Sequence, residues 1–233
     1  MGTTWAEIIT DYAMVEIDDV RLSDELAIDT ALFFRRMALY LRNAIPFFTC
    51  PPQMADRLSY TAPQWEDAEW TSPGGDNQQA DIGLTGFELM SAVKKTVRCD
   101  GTVDFESFSD AVYDKATGIV TFPSTVEEGT VFSLDFYTDG VFANELNETE
   151  KRILGLCTAL VWTQRFSTNW LNLQPKVQDQ SFSVGNEANH MRATTDRVAQ
   201  LRAQVSAEIR KYEQDSAYRN TVLRKGKGRL FDI

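Results

Sequence analysis

Histidine is almost missing from this chain of 233 residues: His190 stands alone. One imidazole removes multi-histidine metal centres and most triad chemistry. Cysteine is nearly as scarce. Cys50, Cys99 and Cys157 lie far apart with no CxxC spacing, so neither a zinc site nor a disulfide framework is indicated, and all three read as reduced thiols of a chain made in a cytosol. There is no glycine-rich phosphate loop, since Gly226-x-Gly228 lacks the Walker arrangement. The most apolar stretch, Leu26 to Ile45, carries Asp29, Arg35, Arg36 and Arg42, too many charges for a membrane span. Positive charge is in deficit. Lys and Arg total 23 against 34 Asp and Glu, a net charge of −11 that argues against a general nucleic-acid binder. The first residues lack the basic start and apolar core of an export signal, and Ala6 stands where a myristoylation signal needs Ser or Thr. A soluble chain, not exported and without a membrane partner, is expected.

What is present suits a globular protein: 43% of the residues are hydrophobic and 24% charged, and a chain of this size buries enough surface to need no staple. The charge is unevenly spread. Residues 1–186 hold 13 basic and 28 acidic side chains, net −15, whereas residues 187–233 hold 10 and 6, net +4. That excess falls after Tyr218, where Arg219, Arg224, Lys225, Lys227 and Arg229 face only Asp232.

Thr4 and Glu7 have capping-box spacing, and Trp5, Ile8, Ile9, Tyr12 and Ala13 follow with helical periodicity. Ser23 is placed to cap a second helix running to about Ala44 and stopping before Pro46; it is apolar on more than one face, which predicts burial on two sides, within the fold or between subunits. Prolines and the run Ser72-Pro73-Gly74-Gly75 mark residues 46–86 as irregular. Residues 87–142 change to strand character, with turn dipeptides at Asp100-Gly101 and Asp139-Gly140 and a strand–turn–strand over Val112–Phe122. Helix returns at the cap pair Asn147/Glu150, with Ile153, Leu154, Cys157, Leu160 and Val161 on one stripe. The longest helix is predicted from Glu187 to Tyr218, with Met191, Val198, Leu201, Val205 and Tyr212 as its seam, ended by Gly226 and Gly228. The expected fold is α+β. Helices at 1–60 and 147–218 form one helical core, the irregular and β-rich segment 61–146 is inserted as a small antiparallel sandwich or partial barrel, and 219–233 is a basic tail.

Candidate chemistry is thin. Cys157 lies on an apolar stripe and reads as a structural core cysteine. His190, at a helix start, reads as a surface or packing residue. Asp18-Asp19 and Glu127-Glu128 lack the spacing of a calcium loop and read as solvated acidic faces. Asn147-Glu148-Thr149 fits a glycosylation sequon but serves better as a helix cap. No catalytic, cofactor-binding or metal-binding residue is assigned, and no cofactor is expected. Trp65, Trp70, Trp162 and Trp170 fit either core packing or interface cores. The strongest functional candidate is the end of the chain. Tyr218, Arg219, Arg224, Lys225, Lys227, Arg229, Leu230, Phe231 and Ile233 combine basic and large apolar side chains, as expected of a segment that orders on a partner.

Several pieces, taken in order, resemble the head–tail connector (adaptor) proteins of tailed bacteriophages. They are Trp5-Ala6-Glu7-Ile8-Ile9, the step Ile17-Asp18-Asp19-Val20-Arg21-Leu22, and Tyr40 to Phe48 running into Pro51-Pro52. Then come Tyr113-Asp114 with Gly118 to Phe122, Thr138-Asp139-Gly140-Val141-Phe142, and Leu146-x-x-x-Glu150-Lys151-x-Ile153-Leu154. Asn189-His190 finally leads into a charged helix ending Tyr218-Arg219-Asn220. The resemblance spans residues 1–220 and lies in the order of the pieces. It implies a non-enzymatic virion protein of the neck, assembled in the host cytoplasm. Such a protein is a homo-oligomer, usually a twelve-copy ring, beneath the portal protein. It sends a C-terminal segment onto the portal, extends the DNA channel without binding DNA specifically, and offers a platform to the next neck or tail protein. Other virion positions (stopper, tail terminator, collar) stand as alternatives. So does a carbohydrate-binding module with Trp65 and Trp70 as a sugar platform.

Overall fold

A computed structural model of the chain describes residues 2–17, 19–49, 51–97, 102–172 and 184–228, the side chains of 97, 166–172, 184–191 and 220–228 excepted. The fold is α+β with antiparallel sheets. The chain forms two compact units. One comprises Met1–Asp24, Arg35–Thr61 and Val141–Ile233; the other comprises Glu25–Phe34 and Ala62–Gly140.

The first unit is helical, and α-helical segments also run through Glu25–Phe34 of the second. Thr4 caps α1 (Trp5–Glu7) by accepting from the Glu7 N–H at 3.3 Å, as the spacing predicts. The helix widens into a π-helical stretch, Ile8–Ala13, and returns to α geometry in α2 (Met14–Ile17). Trp5, Ile8, Ile9 and Ala13 are buried. The next helix differs from expectation at its start and middle. The cap is Asp19, not Ser23: its carboxylate accepts from the Arg21 N–H at 2.9 Å, so α3 (Val20–Ile28) begins four residues earlier. Asp29 then interrupts it. Its N–H still closes α3 on Glu25, while its carboxylate caps α4 (Thr30–Ala44) through the Leu32 N–H at 2.9 Å. A side chain that can serve as a new cap competes with helix continuation, which the apolar pattern alone does not reveal. A 3₁₀ turn (Ile45–Phe47) follows at Pro46, then the short α5 (Met54–Arg57) and β1 (Tyr60–Thr61).

In the second unit four strands run in the order β2 (Gln64–Thr71), β8 (Val131–Thr138), β4 (Glu88–Val97), β5 (Val103–Ser107). Three more form a second sheet, β3 (Gln78–Asp81), β7 (Ile119–Phe122), β6 (Val112–Asp114). The predicted strand–turn–strand is β6–β7. Asp114 holds its turn by accepting from the Ala116 N–H at 3.0 Å and the Thr117 hydroxyl at 2.8 Å, and Gly118 supplies the left-handed residue (φ +75°). Inner faces of both sheets meet around Phe122, Phe132, Leu134 and Phe136, all fully buried. This is a small sandwich. Each such phenylalanine contributes about 2–3 kcal/mol by burial, and Trp70 stacks on Phe122 with centroids 4.7 Å apart. The strand β8 alternates as a sheet core should, except that Tyr137 on its other face is also buried, between Trp65 and Phe34. A bulge between Leu89 and Ser91 lets Leu89 and Ala92 share the inner face of β4. The Asp100-Gly101 turn lies outside the described residues.

Back in the helical unit, β9 (Val141–Phe142) pairs with β1 and leads to α6 (Glu148–Asn172). Residues Ile153 to Leu160 of α6 are buried on every side, more than the single stripe that periodicity predicts. The reason is Gly155. A Cβ there would stand 2.6 Å from Tyr12 Cβ and 2.9 Å from its carbonyl carbon, so the π-helical stretch can lie directly on α6. The buried Thr158 and Thr163 hydroxyls donate to the carbonyls one turn back, at 2.8 and 2.7 Å. On another side α6 packs along α7 (Val184–Gly228). That helix overruns its predicted end at Tyr218, passing through Gly226 to Gly228, so residues 219–228 are helical rather than a tail. Elongating a formed helix costs little compared with nucleating one.

Gly155→Ala gains helix propensity of about 1 kcal/mol but drives a methyl into the Tyr12 backbone. A net loss of about 1–3 kcal/mol follows from overpacking, read as a lower urea midpoint; an unchanged midpoint would show that the contact has slack.

Candidate docking interface

The candidate site is the far end of α7, so what holds that helix in place comes first. Its buried seam is Leu201 and Val205, followed by half-buried Ile209 and Tyr212. Tyr212 packs edge-on against Phe48, centroids 5.5 Å apart, and its hydroxyl donates to Glu150 at 2.5 Å. Glu150 is fully buried. It completes the capping box with Asn147: its N–H donates to Asn147 Oδ1 at 2.9 Å and its carboxylate accepts from the Asn147 N–H at 2.8 Å. The same carboxylate receives Arg57 in bidentate fashion, Nε at 2.5 Å and Nη2 at 2.9 Å. One buried charge therefore ties α5, the start of α6 and the seam of α7 together.

The electrostatics follow from that geometry. Burial alone would push the Glu150 carboxyl up, but Arg57, Tyr212 and the Asn147 N–H outweigh it and hold the group below the ordinary glutamate value. Tyr212 is pushed up to about 12, by burial first and by Glu150 second, and so stays a donor throughout the neutral range. Nearby, Lys151 is raised by Glu7, to which it donates at 2.7 Å, and Tyr12 donates to Glu148 at 2.5 Å. These contacts close the first turns of α6 against the N-terminal helix.

Beyond Tyr212 the helix continues for about 24 Å at 1.5 Å per residue. Tyr218 is 72% exposed and Arg219 is exposed. Arg224, Lys225 and Lys227 follow on the same helix, their side chains outside the described set; Arg229, Leu230, Phe231 and Ile233 lie outside the described residues altogether. Tyr218 and Arg219 are thus set on an arm whose root is the Glu150 cluster. Residue patterns missed that root. Glu150 was legible as a cap, but Arg57 sits in the irregular segment and nothing in the chain announces its partner.

The remaining candidate residues sit elsewhere in the fold. Cys157 is buried and its thiol is pushed up to about 12 by desolvation, which suits packing and not nucleophilic attack. Trp65 pairs across the strands with Tyr137, and Trp70 with Phe132 on the opposite sheet face, so the two cannot form one sugar platform. Trp162 is half-buried, while the side chains of Trp170 and His190 fall outside the described set. Among the described residues no acidic, histidine or cysteine cluster could hold a metal ion, and no helix is long and apolar enough to cross a membrane. No protein-family model, curated protein or solved structure matches the chain.

Because Glu150 is held ionised below its unfolded value, its stabilisation is complete above the ordinary carboxylate range and is lost as pH falls through the lowered value. Glu150→Gln therefore costs about 3 kcal/mol at neutral pH, and the gap to the parent narrows below about pH 4. Unfolding midpoints for both proteins across pH 3–8 (roughly the span of the carboxylate titration) measure this. A gap that stays constant into acid would remove the charge from the account.

Proposed function

We propose that this chain is a non-catalytic structural protein of a tailed-phage virion, a head–tail adaptor that stands as a ring beneath the portal and receives the next neck or tail protein. The observation that carries the reading is the charge of α7. A chain of net −11 concentrates its basic excess beyond Tyr218, on a helix rooted in the body by only a few turns. Basic residues on a projecting helix suit docking to an acidic hub, with steering by charge and anchoring by Tyr218, Leu230, Phe231 and Ile233. The order of sequence pieces resembling phage adaptors supports the same reading. An acidic wall also suits a DNA conduit, because it repels phosphates and leaves the duplex free to slide. The virion neck is then the place of action, and no cofactor takes part.

A stopper, terminator or collar position differs in symmetry by family analogy, and imaging of isolated virions separates it from an adaptor. The sugar-binding alternative loses its platform once Trp65 and Trp70 stand on opposite faces.

Deleting residues 219–233 leaves Tyr212 and Glu150 intact, so the truncated chain is expected to keep its melting transition within about 1 kcal/mol of the parent while losing binding to purified portal rings. Undiminished portal binding by the truncated chain would sink the docking mechanism.

A further inference from the structure

The helix α4 has no acidic residue, in a chain rich in them, and carries Arg35, Arg36 and Arg42. One face is well buried, by Phe33, Met37, Tyr40, Leu41 and Ala44. The other bears Leu32 at 47% and Leu39 at 52% exposure, with the three arginines exposed around them; Arg35 and Arg36 also have partners within the chain. Leu32, Arg35, Leu39 and Arg42 step by three and four residues, the spacing of a single helical stripe. A seam of this kind on one face is apolar enough to seek a partner and basic enough to choose one.

The acidic counterpart lies in the sheet unit. Residues 62–140 hold 15 acidic and 4 basic side chains, net −11, equal to the charge of the whole chain. On the outer face of the four-stranded sheet one row crosses the strands as Val131, Lys95, Phe105, each directly opposite the next. Phe105 is 65% exposed and its strand neighbour Val103 is 44% exposed. Lys95 is drawn out of that row by its ion pair with Glu69. Two rows away Asp67 and Asp135 sit opposite each other, Asp135 held by the Ser91 hydroxyl. The opposite end of this face is closed, since Phe34 stacks on Tyr137 there.

We infer that this open acidic sheet face of one copy receives the basic α4 seam of a second copy, in a head-to-tail contact. The spacing agrees: two leucines seven residues apart stand about 10 Å apart along a helix, and Val131 and Phe105, two strands apart, stand about 10 Å apart across the sheet. The arginines of the seam then face Asp67 and Asp135. Because donor and acceptor are different surfaces, every copy keeps one of each free, and the contact propagates from copy to copy. The inference deepens the assembly reading above by naming the surfaces that meet, and it does not involve the end of α7.

Two single-cysteine variants test it, Leu39→Cys and Phe105→Cys, each in the full chain with Cys50 and Cys99 changed to serine. Both positions are exposed, so folding is expected to be unaffected; Cys157 is buried and stays silent. A short bismaleimide should link a mixture of the two variants into a dimer and leave either variant alone unlinked, while the double variant gives a ladder. Adding Arg42→Glu should cause loss of the linked product. Linkage of Leu39→Cys to itself would overturn the inference, as would no linkage in the mixture at a concentration where the proteins remain folded by circular dichroism. Tyr218→Cys replacing Leu39→Cys in the mixture with equal yield would likewise overturn it, by making α7 the occupant. The experiment needs no portal. A ladder with lost portal docking rejects only the function proposed above, and intact docking without a ladder rejects only this contact.

Discussion

A single carboxylate, that of Glu150, sets the geometry of the helical unit. Four hydrogen bonds converge on it from Arg57, Tyr212 and the Asn147 backbone. A buried charge with that many donors resists loss of any one of them, because the remainder would leave it incompletely compensated. The consequence is positional. The helix α7 is amphipathic only weakly and its seam is short, so apolar burial alone would let it slide or rotate along α6. The Tyr212 hydroxyl fixes its register. Whatever the far end of α7 does, it does from a root whose position is set by hydrogen bonding.

Much of the local structure was legible in the residues, for reasons that are themselves local. The cap pairs Thr4/Glu7 and Asn147/Glu150 both mark helix starts, because a side chain and an amide three residues apart can meet only at such a start. The β6–β7 hairpin, the helical stripe through Cys157 and the Leu201–Tyr212 part of the α7 seam follow from periodicity in the same way, Met191 lying outside the described side chains. What escaped is long-range or competitive. Arg57 meets Glu150 across 93 residues of chain. Asp29 and Asp19 take over as caps where the apolar pattern predicted one helix capped by Ser23. Gly226 weakens α7 without ending it, because a long formed helix precedes it. Burial of α6 on all sides was invisible because it rests on a glycine, a residue that carries no pattern of its own. Of the candidate site, the charge asymmetry was plain from composition, and the anchor that gives it a position was not.

Charge organises the molecule at a larger scale. The segment 62–140 carries a large excess of acid, while α4 bears only basic charges and the end of α7 has an excess of them. Within one folded chain such a separation contributes little stability, since exposed charges are screened over about 8–10 Å. It matters when surfaces meet, where complementary potentials favour one partner and penalise others. The uncovered leucines of α4 belong to the same division, an apolar centre on a helix whose only charges are basic.

The helical unit is discontinuous: its pieces come from the beginning of the chain, from Arg35–Thr61 and from everything after Val141. A ribosome delivers those pieces far apart in time. Trp5 and the π-helical stretch emerge early and must wait for Gly155 before their resting surface exists, whereas all strands of the sandwich have been made by residue 138. The nascent chain therefore closes its β core first and holds an unfinished apolar N-terminus during synthesis of the rest. That order leaves the N-terminal helix open to chaperones until the residues around Gly155 have been made, so a translation pause anywhere before them prolongs its exposure.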